Sequence, residues 1–195
     1  MTVELLPEFL RRHYEVHEWK HACAILCNDF PEEWADMVET LTAFRLKRSW
    51  IVVGGGSKSK VADWIDSALY QRGWQEKLFV TRVMVDDRVM DSPTHKVDCY
   101  KNSVALEVEW NNKDPFFDRD LNNFRLLFEL RAVSVGVIVT RCDSLQAIFD
   151  RLGRGSSYGA STTHMSKLLP RIEGGGEGGY PILVFGIRES LYVED

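Results

Sequence analysis

Three carboxylic acids lie close together in residues 97–112, which read VDCYKNSVALEVEWNN. They are Asp98, Glu107 and Glu109. Apolar side chains alternate with others through this stretch, and residues 102–103 (Asn-Ser) offer a point of chain reversal, so the pattern predicts a β-hairpin. A two-residue turn there would place Asp98 directly opposite Glu107, with Glu109 on the same face of the sheet.

Carboxylates in this arrangement require a compensating positive charge. Like charges that face each other destabilise a sheet, and the apolar neighbours hydrate these acids poorly. Mg²⁺ prefers oxygen ligands, and its shell commonly combines one or two carboxylates with waters and substrate phosphate oxygens. The spacing therefore suggests Mg²⁺ and a phosphodiester. A three-residue turn would instead place Asp98 opposite Leu106 and leave the acids on a solvated face, so that alternative stays open.

Length and composition set the broad class of protein. A chain of 195 residues with 45% hydrophobic content is large enough for one well-packed domain, so residues 1–195 are expected to form a single domain. The chain has no long uncharged apolar run, and its first residues, MTVELLPEFLRR, lack the order of a secretion signal. We therefore expect a cytoplasmic protein with no membrane partner and reduced cysteines. The net charge of -5 still allows a local basic cleft.

Two further motifs suggest other ligands. His13, His17 and His21 are spaced by four and precede Cys23 and Cys27, which raises the alternative of a zinc protein, although the spacing matches no standard zinc pattern.

The glycine-rich segment 51–60, IVVGGGSKSK, leads into a helix but has Ser59 where a phosphate loop needs its second glycine. We therefore expect no nucleotide cofactor. The helix N-terminus, with Ser57, Lys58 and Lys60, remains a candidate contact for one phosphate of a polymer.

Strands and helices alternate along the chain. Besides the hairpin, strands are predicted at 77–89, 134–140 and 180–187, and helices at 20–28, 31–44, 61–73, 116–133 and 143–152. A turn is predicted at 91–93. Ser, Thr and Gly dominate the stretch between the last helix and the last strand, and residues 174–179 are expected to be mobile. This order predicts an α/β fold whose mixed central sheet has helices on both faces.

The acidic hairpin resembles the active-site hairpin of the BglII/BstYI type II restriction endonucleases, to which BamHI is a more distant relative. The resemblance rests on VDCYKNSVALEVEW and on the nine-residue step from Asp98 to Glu107. The segments FPEEW, RGWQEK and YPILVFGI resemble other parts of that family. The resemblance implies the PD-(D/E)XK nuclease fold, double-stranded DNA as the substrate, and Mg²⁺, for which Mn²⁺ can substitute.

The resemblance also assigns catalytic roles. It makes Asp98 and Glu107 the metal ligands and gives Glu109 the third catalytic position, where BglII and BstYI have Gln and BamHI has Glu. The group that activates the water stays open, because Glu109 carries no positive charge of the kind that Lys supplies in the wider fold.

DNA contacts and quaternary structure follow from the same resemblance. It implies a homodimer and a short palindromic target that contains GATC. The residues expected at the DNA are Asn111, Asn112 and Lys113 after the hairpin, and Ser156, Ser157 and Tyr158 in a later loop. Lys113, Arg119 and Arg125 are candidates for phosphate contacts, and the alternative for the two arginines is that they only solvate their helix. A repair or modification-dependent nuclease of the same fold, and a non-catalytic DNA-binding or partner-binding protein, remain alternatives.

Overall fold

The computed structural model describes residues 2–53, 58–92 and 94–195. Its strands are β1 (Tyr14–Trp19), β2 (Leu46–Lys47), β3 (Gln75–Lys77), β4 (Thr81–Val85), β5 (Arg88–Ser92), β6 (Val97–Lys101), β7 (Val104–Val108), β8 (Val135–Arg141), β9 (Ile182–Ile187) and β10 (Tyr192–Val193). Its helices are α1 (Glu8–His13), α2 (Ala22–Asp29), α3 (Pro31–Ala43), α4 (Arg48–Val52), α5 (Lys60–Tyr70), α6 (Pro115–Glu129), α7 (Gln146–Arg151) and α8 (Met165–Glu173). Short 3₁₀ helices span Val3–Leu5, Asp143–Leu145, Gly155–Tyr158 and Glu189–Leu191.

Six strands form the central sheet, in the order β1-β9-β8-β7-β6-β3. The inner strands β7, β8 and β9 run parallel to one another, whereas β6, β3 and β1 each pair antiparallel with their neighbours. Every residue of β7, β8 and β9 is buried, as expected for strands covered on both faces. The predicted mixed α/β sheet is confirmed.

Two apolar clusters lie on opposite faces of this sheet. Successive residues of β9 belong to different clusters. Phe185 joins the cluster formed with α1, α2, α3 and α5, and Val184 joins the cluster formed with α6 and α8. The helix α3 begins with Pro31 at its first position and two acids in its first turn, which suits a helix N-terminus. The sheet is thus held between helices, and the acidic hairpin lies within it.

The prediction of one continuous strand over 77–89 is wrong. The strand β3 ends at Lys77, and β4 and β5 form a separate two-stranded hairpin in which Thr81 pairs with Ser92. The chain reverses at Asp86, whose φ of 51° is one that Asp tolerates in tight turns. Asp91, expected in a turn, therefore belongs to β5, and Pro93 of that predicted turn lies outside the described residues.

The polar stretch before the last strand contains a helix that was not predicted. In α8, the side chains of Met165, Leu168 and Ile172 are buried against the sheet at helical spacing. The surrounding Ser, Thr and Gly residues hide this short apolar pattern in the sequence.

The zinc alternative is wrong. His13 ends α1, His17 lies in β1, and His21 precedes α2, so the three imidazoles belong to different elements. His13 bonds to Ser190 and His17 to Glu15. Over residues 2–53, 58–92 and 94–195, no group of three or more His, Cys, Asp or Glu side chains is arranged to hold a metal ion. In the same ranges, no helix has both the length and the apolar character needed to cross a membrane.

Candidate active site

The hairpin of β6 and β7 has the predicted two-residue turn. Asn102 and Ser103 both adopt positive φ, at 43° and 67°, which matches the left-handed backbone that tight hairpin turns require. Cys99 pairs with Leu106, as the two-residue turn predicts, and the two following pairs keep the same register. One step further along the ladder, Asp98 and Glu107 lie on opposite strands, and the Asp98 carboxyl is close enough to raise the pKa of Glu107.

Glu107 is a buried carboxyl that lacks hydrogen-bond donors. Only 1% of its surface is exposed, and no side-chain or main-chain donor among the described residues bonds to either of its oxygens. The one polar group in reach on the neighbouring strand is the Asp98 carboxyl, which is close enough to share a proton with it. Burial raises its pKa well above the usual range, and the nearby Asp120 and Asp98 raise it further. Buried polar groups are nearly always hydrogen-bonded, so an unpartnered carboxyl at the centre of a sheet calls for another ligand. A divalent cation is the ligand that suits two carboxylate oxygens.

Asp98 connects Glu107 to solvent. Its half-buried side chain lines a cavity of about 180 Å³, together with Lys58 and Asn112. The Lys58 ammonium lies 2.6 Å from Oδ2 of the fully buried Asp66, so a cation is already present beside this cavity. Burial raises the pKa of Asp66, and Lys58 opposes that rise.

Glu109, expected at the third catalytic position, has protein partners of its own. Arg119 donates to its Oε1 at 3.0 Å, and the amide of Asn112 donates to its Oε2 at 2.6 Å. Both oxygens therefore have protein partners. Arg119, a candidate for a DNA phosphate contact, bonds to Glu109 while 30% of its side chain stays exposed.

Asp120 joins Glu109, Asn112 and Arg119 in one hydrogen-bonded group, the acid network. Its role was not predicted from the sequence. It is fully buried on α6, and its Oδ1 accepts from Nε of Arg119 at 2.8 Å. Burial, followed by the nearby Asp120, raises the pKa of Glu109 to about 9. A signal existed in the sequence, because Asp120 occupies the apolar stripe between Phe117 and Phe124 at helical spacing.

The family of the chain is shown by its match to a family model described as restriction endonuclease BglII/BglIII, over residues 14–187. The chain belongs to this family. The match runs from the first residue of β1 to the last residue of β9, so it contains the whole central sheet and the acidic hairpin. Family members are type II site-specific deoxyribonucleases, and the chain is therefore an enzyme of the BglII type that acts on phosphodiester bonds. Comparison with curated proteins gives no match.

In this BglII-type enzyme, residues 111–113 follow the acidic hairpin but do not all face outward. The Asn112 amide bonds to Glu109, and the Asn112 main chain bonds to Thr163 through both its N–H and its carbonyl. The structure thus places the Asn112 amide on Glu109 and beside the cavity lined by Asp98, and its contact to DNA stays a prediction. Lys113 is exposed, and Asn111 is half-buried with a φ of 59°.

The later loop predicted to contact DNA, residues 156–158, also contains both buried and exposed side chains. Tyr158 is buried, with its ring stacked on Phe149 at a centroid distance of 3.9 Å, and it therefore offers no ring contact at the surface. Ser156 is exposed and Ser157 is half-buried in the same 3₁₀ turn. The structure thus makes Tyr158 an anchor for the loop that carries the two serines.

The glycine-rich segment before α5 lies partly outside the described residues, since residues 54–57 are not among them. Ser59, which replaces the second glycine of a phosphate loop, caps α5 by accepting from the Ala62 N–H at 3.0 Å. Lys58 bonds to Asp66, as described above.

The raised pKa of Glu109 predicts pH-dependent stability of the metal-free enzyme. The folded state keeps this proton up to a pH of about 9, whereas the unfolded chain releases it near 4.5. The folded state binds more protons between these values, so this group lowers the free energy of unfolding as pH rises through that window. We expect urea midpoints measured in EDTA at pH values of about 5, 7 and 9 to fall less steeply in Glu109→Gln than in the wild type. Parallel profiles would contradict this assignment.

Proposed function

We propose that the chain is a Mg²⁺-dependent type II restriction endonuclease that cuts double-stranded DNA at a short palindromic site, with residues 1–195 acting as one endonuclease domain. The observation that carries this proposal is the unpartnered, buried Glu107 carboxyl facing Asp98 on the neighbouring strand. The family match supports DNA cleavage, and the geometry of these two acids supports the metal.

The proposed metal ligands are Asp98 and Glu107. Two carboxylates suit Mg²⁺, which leaves its remaining positions to water and to oxygens of the scissile phosphate, and Mn²⁺ is expected to substitute. When bound, the cation supplies Lewis-acid stabilisation of the phosphate and lowers the pKa of water. Asp120 also lies near Glu107, but its Oδ1 is bonded to Arg119, so we leave the remaining metal positions to water and DNA.

Glu109, Asp120 and Arg119 are assigned roles other than binding the metal. Glu109 is fixed by Arg119 and Asn112, so its carboxyl is held in one orientation next to the metal ligands on the same strand. We assign it the task of orienting the attacking water for in-line hydrolysis, which needs no covalent intermediate. Asp120 and Arg119 are positioning residues, because their contacts are to Glu109 and to each other.

DNA recognition is assigned to the exposed residues around this site. Lys113 is placed for a phosphate contact, while Asn111, Ser156 and Ser157 are the candidates for the bases, supported by their exposure or partial exposure. Cutting both strands of a palindrome requires two active sites related by a two-fold axis, so we propose a homodimer. By likeness to the family, the expected target contains GATC.

Plasmid digestion tests this function. Purified enzyme is incubated with plasmids that contain or lack GATC, methylated or unmethylated, in Mg²⁺, in Mn²⁺ and in EDTA, and the fragment ends are mapped. We expect discrete fragments from unmethylated DNA in either metal and none in EDTA. Cleavage of methylated DNA alone would favour the modification-dependent nuclease. Binding of DNA without cleavage under any condition would favour the non-catalytic alternative.

A further inference from the structure

A second cavity, of about 450 Å³, lies along α6 beside the acid network. Its lining consists of His95, Arg119, Asn122, Asn123, Arg125 and Leu126. Two arginines, one histidine and two amides line this space without a single carboxylate among them. A cavity with this chemistry is suited to an anion whose oxygens accept several hydrogen bonds.

The cavity is joined to the proposed catalytic centre through Arg119. The guanidinium of Arg119 lines the cavity and also bonds to Glu109 and Asp120. His95 precedes Asp98 by three residues in the chain and lies close enough to it for their charges to interact. An anion in the cavity would therefore lie beside the position proposed for the scissile phosphate.

The segment that carries His95 is fixed against α6. The buried Asn123 side chain accepts from the His95 N–H at 3.1 Å and donates to the His95 carbonyl at 3.0 Å. The imidazole itself makes no hydrogen bond within residues 2–53, 58–92 and 94–195. Burial, assisted by the charge of Arg119, lowers the pKa of His95, so its ring is neutral at pH 7 and can donate one N–H.

Arg125 is the cavity arginine whose charge is not paired with any described residue. Arg119 is occupied by two carboxylates, whereas the guanidinium of Arg125 has neither an ion pair nor a hydrogen bond with any described residue. Its aliphatic stem packs against Gly178, where a Cβ would collide with it. The stem is thus backed by the protein while the charged end is exposed at the cavity.

We propose that this cavity binds the backbone phosphate next to the scissile phosphate on the same DNA strand, with Arg125 as the charged contact and His95 as a hydrogen-bond donor. The inference rests on the proposed function, because it requires DNA at the acid network. Phosphate contacts fix the register of a duplex on a protein without reading its sequence. The cavity would accordingly hold the strand in place while the acids act on the neighbouring linkage.

The salt dependence of DNA binding tests this proposal. Duplex affinity is measured in EDTA, so that no cleavage occurs, for the wild type, Arg125→Gln, His95→Ala and the matched control Arg131→Gln. Arg131 is exposed just beyond the end of the same helix and does not line the cavity. Arg125→Gln should reduce the salt slope by about 0.9, the value for one lost phosphate contact, and weaken binding several-fold at low salt. His95→Ala should weaken binding without changing the slope, and Arg131→Gln should change neither.

A modified duplex locates the contact. Replacing one backbone phosphate at a time with a neutral methylphosphonate should identify one linkage whose replacement weakens the wild type but not Arg125→Gln. An unchanged slope for Arg125→Gln, in an enzyme that still cuts and binds, would overturn the phosphate site and leave the proposed function intact. Altered sedimentation of Arg125→Gln without DNA would instead mark the cavity as an interface between copies. A wild type that neither cuts nor binds DNA would end both proposals.

Discussion

Glu107→Gln is expected to lower the cleavage rate by at least about 10³-fold while making the metal-free enzyme more stable. The loss corresponds to about 4 kcal/mol of transition-state stabilisation, which is in the range that a metal centre supplies. The gain arises because the folded state keeps Glu107 neutral, whereas the unfolded chain ionises it at neutral pH. Glutamine removes this cost. The melting temperature in EDTA should therefore rise.

Single-turnover cleavage in Mg²⁺ and thermal unfolding in EDTA measure these two effects on the same protein. Glu129→Gln is the matched control, since Glu129 is exposed at the end of α6 and should change neither quantity. DNA affinity in EDTA should survive in Glu107→Gln. Retained cleavage would remove Glu107 from the metal site, and a lowered melting temperature would show that its carboxyl has a partner in the folded enzyme.

Arg119→Gln is expected to have the second-largest effect, on stability as well as on cleavage. Arg119 bonds to the buried carboxyls of Glu109 and Asp120, and because Glu109 keeps its proton at neutral pH, the ion pair is the one with Asp120. Breaking a buried ion pair costs about 3–5 kcal/mol. Because 30% of the Arg119 side chain is exposed, we expect a smaller loss, about 2–3 kcal/mol in the free energy of unfolding, together with slower cleavage from a misplaced Glu109.

A double-mutant cycle separates this ion pair from general disruption of α6. Asp120→Asn in the Arg119→Gln background removes the buried charge that has lost its cation, so the double variant should be more stable than Arg119→Gln alone by about 1 kcal/mol or more. Urea unfolding at neutral pH gives the four free energies of the cycle. Strictly additive losses would show that Arg119 and Asp120 do not stabilise each other.

The sequence predicted the parts of the fold that local patterns encode. The register of the acidic hairpin follows from its alternation and from the two turn residues Asn102 and Ser103, and both features are determined within a few positions. The buried strands near the end of the chain were also found, because continuous apolar runs are typical of parallel strands. Residues 77–89 were predicted as one strand because β-forming residues flank Asp86 on both sides. The chain turns at Asp86, so the segment forms two paired strands.

The arrangement of the acids depended on tertiary contacts and could not be predicted from the hairpin alone. Alternation places Glu107 and Glu109 on one side of a strand, but it does not reveal that α6 brings Arg119 and Asp120 to Glu109. The same packing gives Glu109 two donors while Glu107 keeps none. The burial of Tyr158 against Phe149 also depends on packing between two elements, α7 and the 3₁₀ helix Gly155–Tyr158. The sequence pattern of either element alone does not reveal this contact.

Anomalous diffraction from Mn²⁺ in crystals of the enzyme bound to its DNA gives the most direct test of the central claim. We expect a peak between the carboxyls of Asp98 and Glu107, within coordination distance of both and of a scissile phosphate oxygen. A Mn²⁺ ion bound elsewhere, with the Glu107 oxygens still free of any cation, would contradict the account.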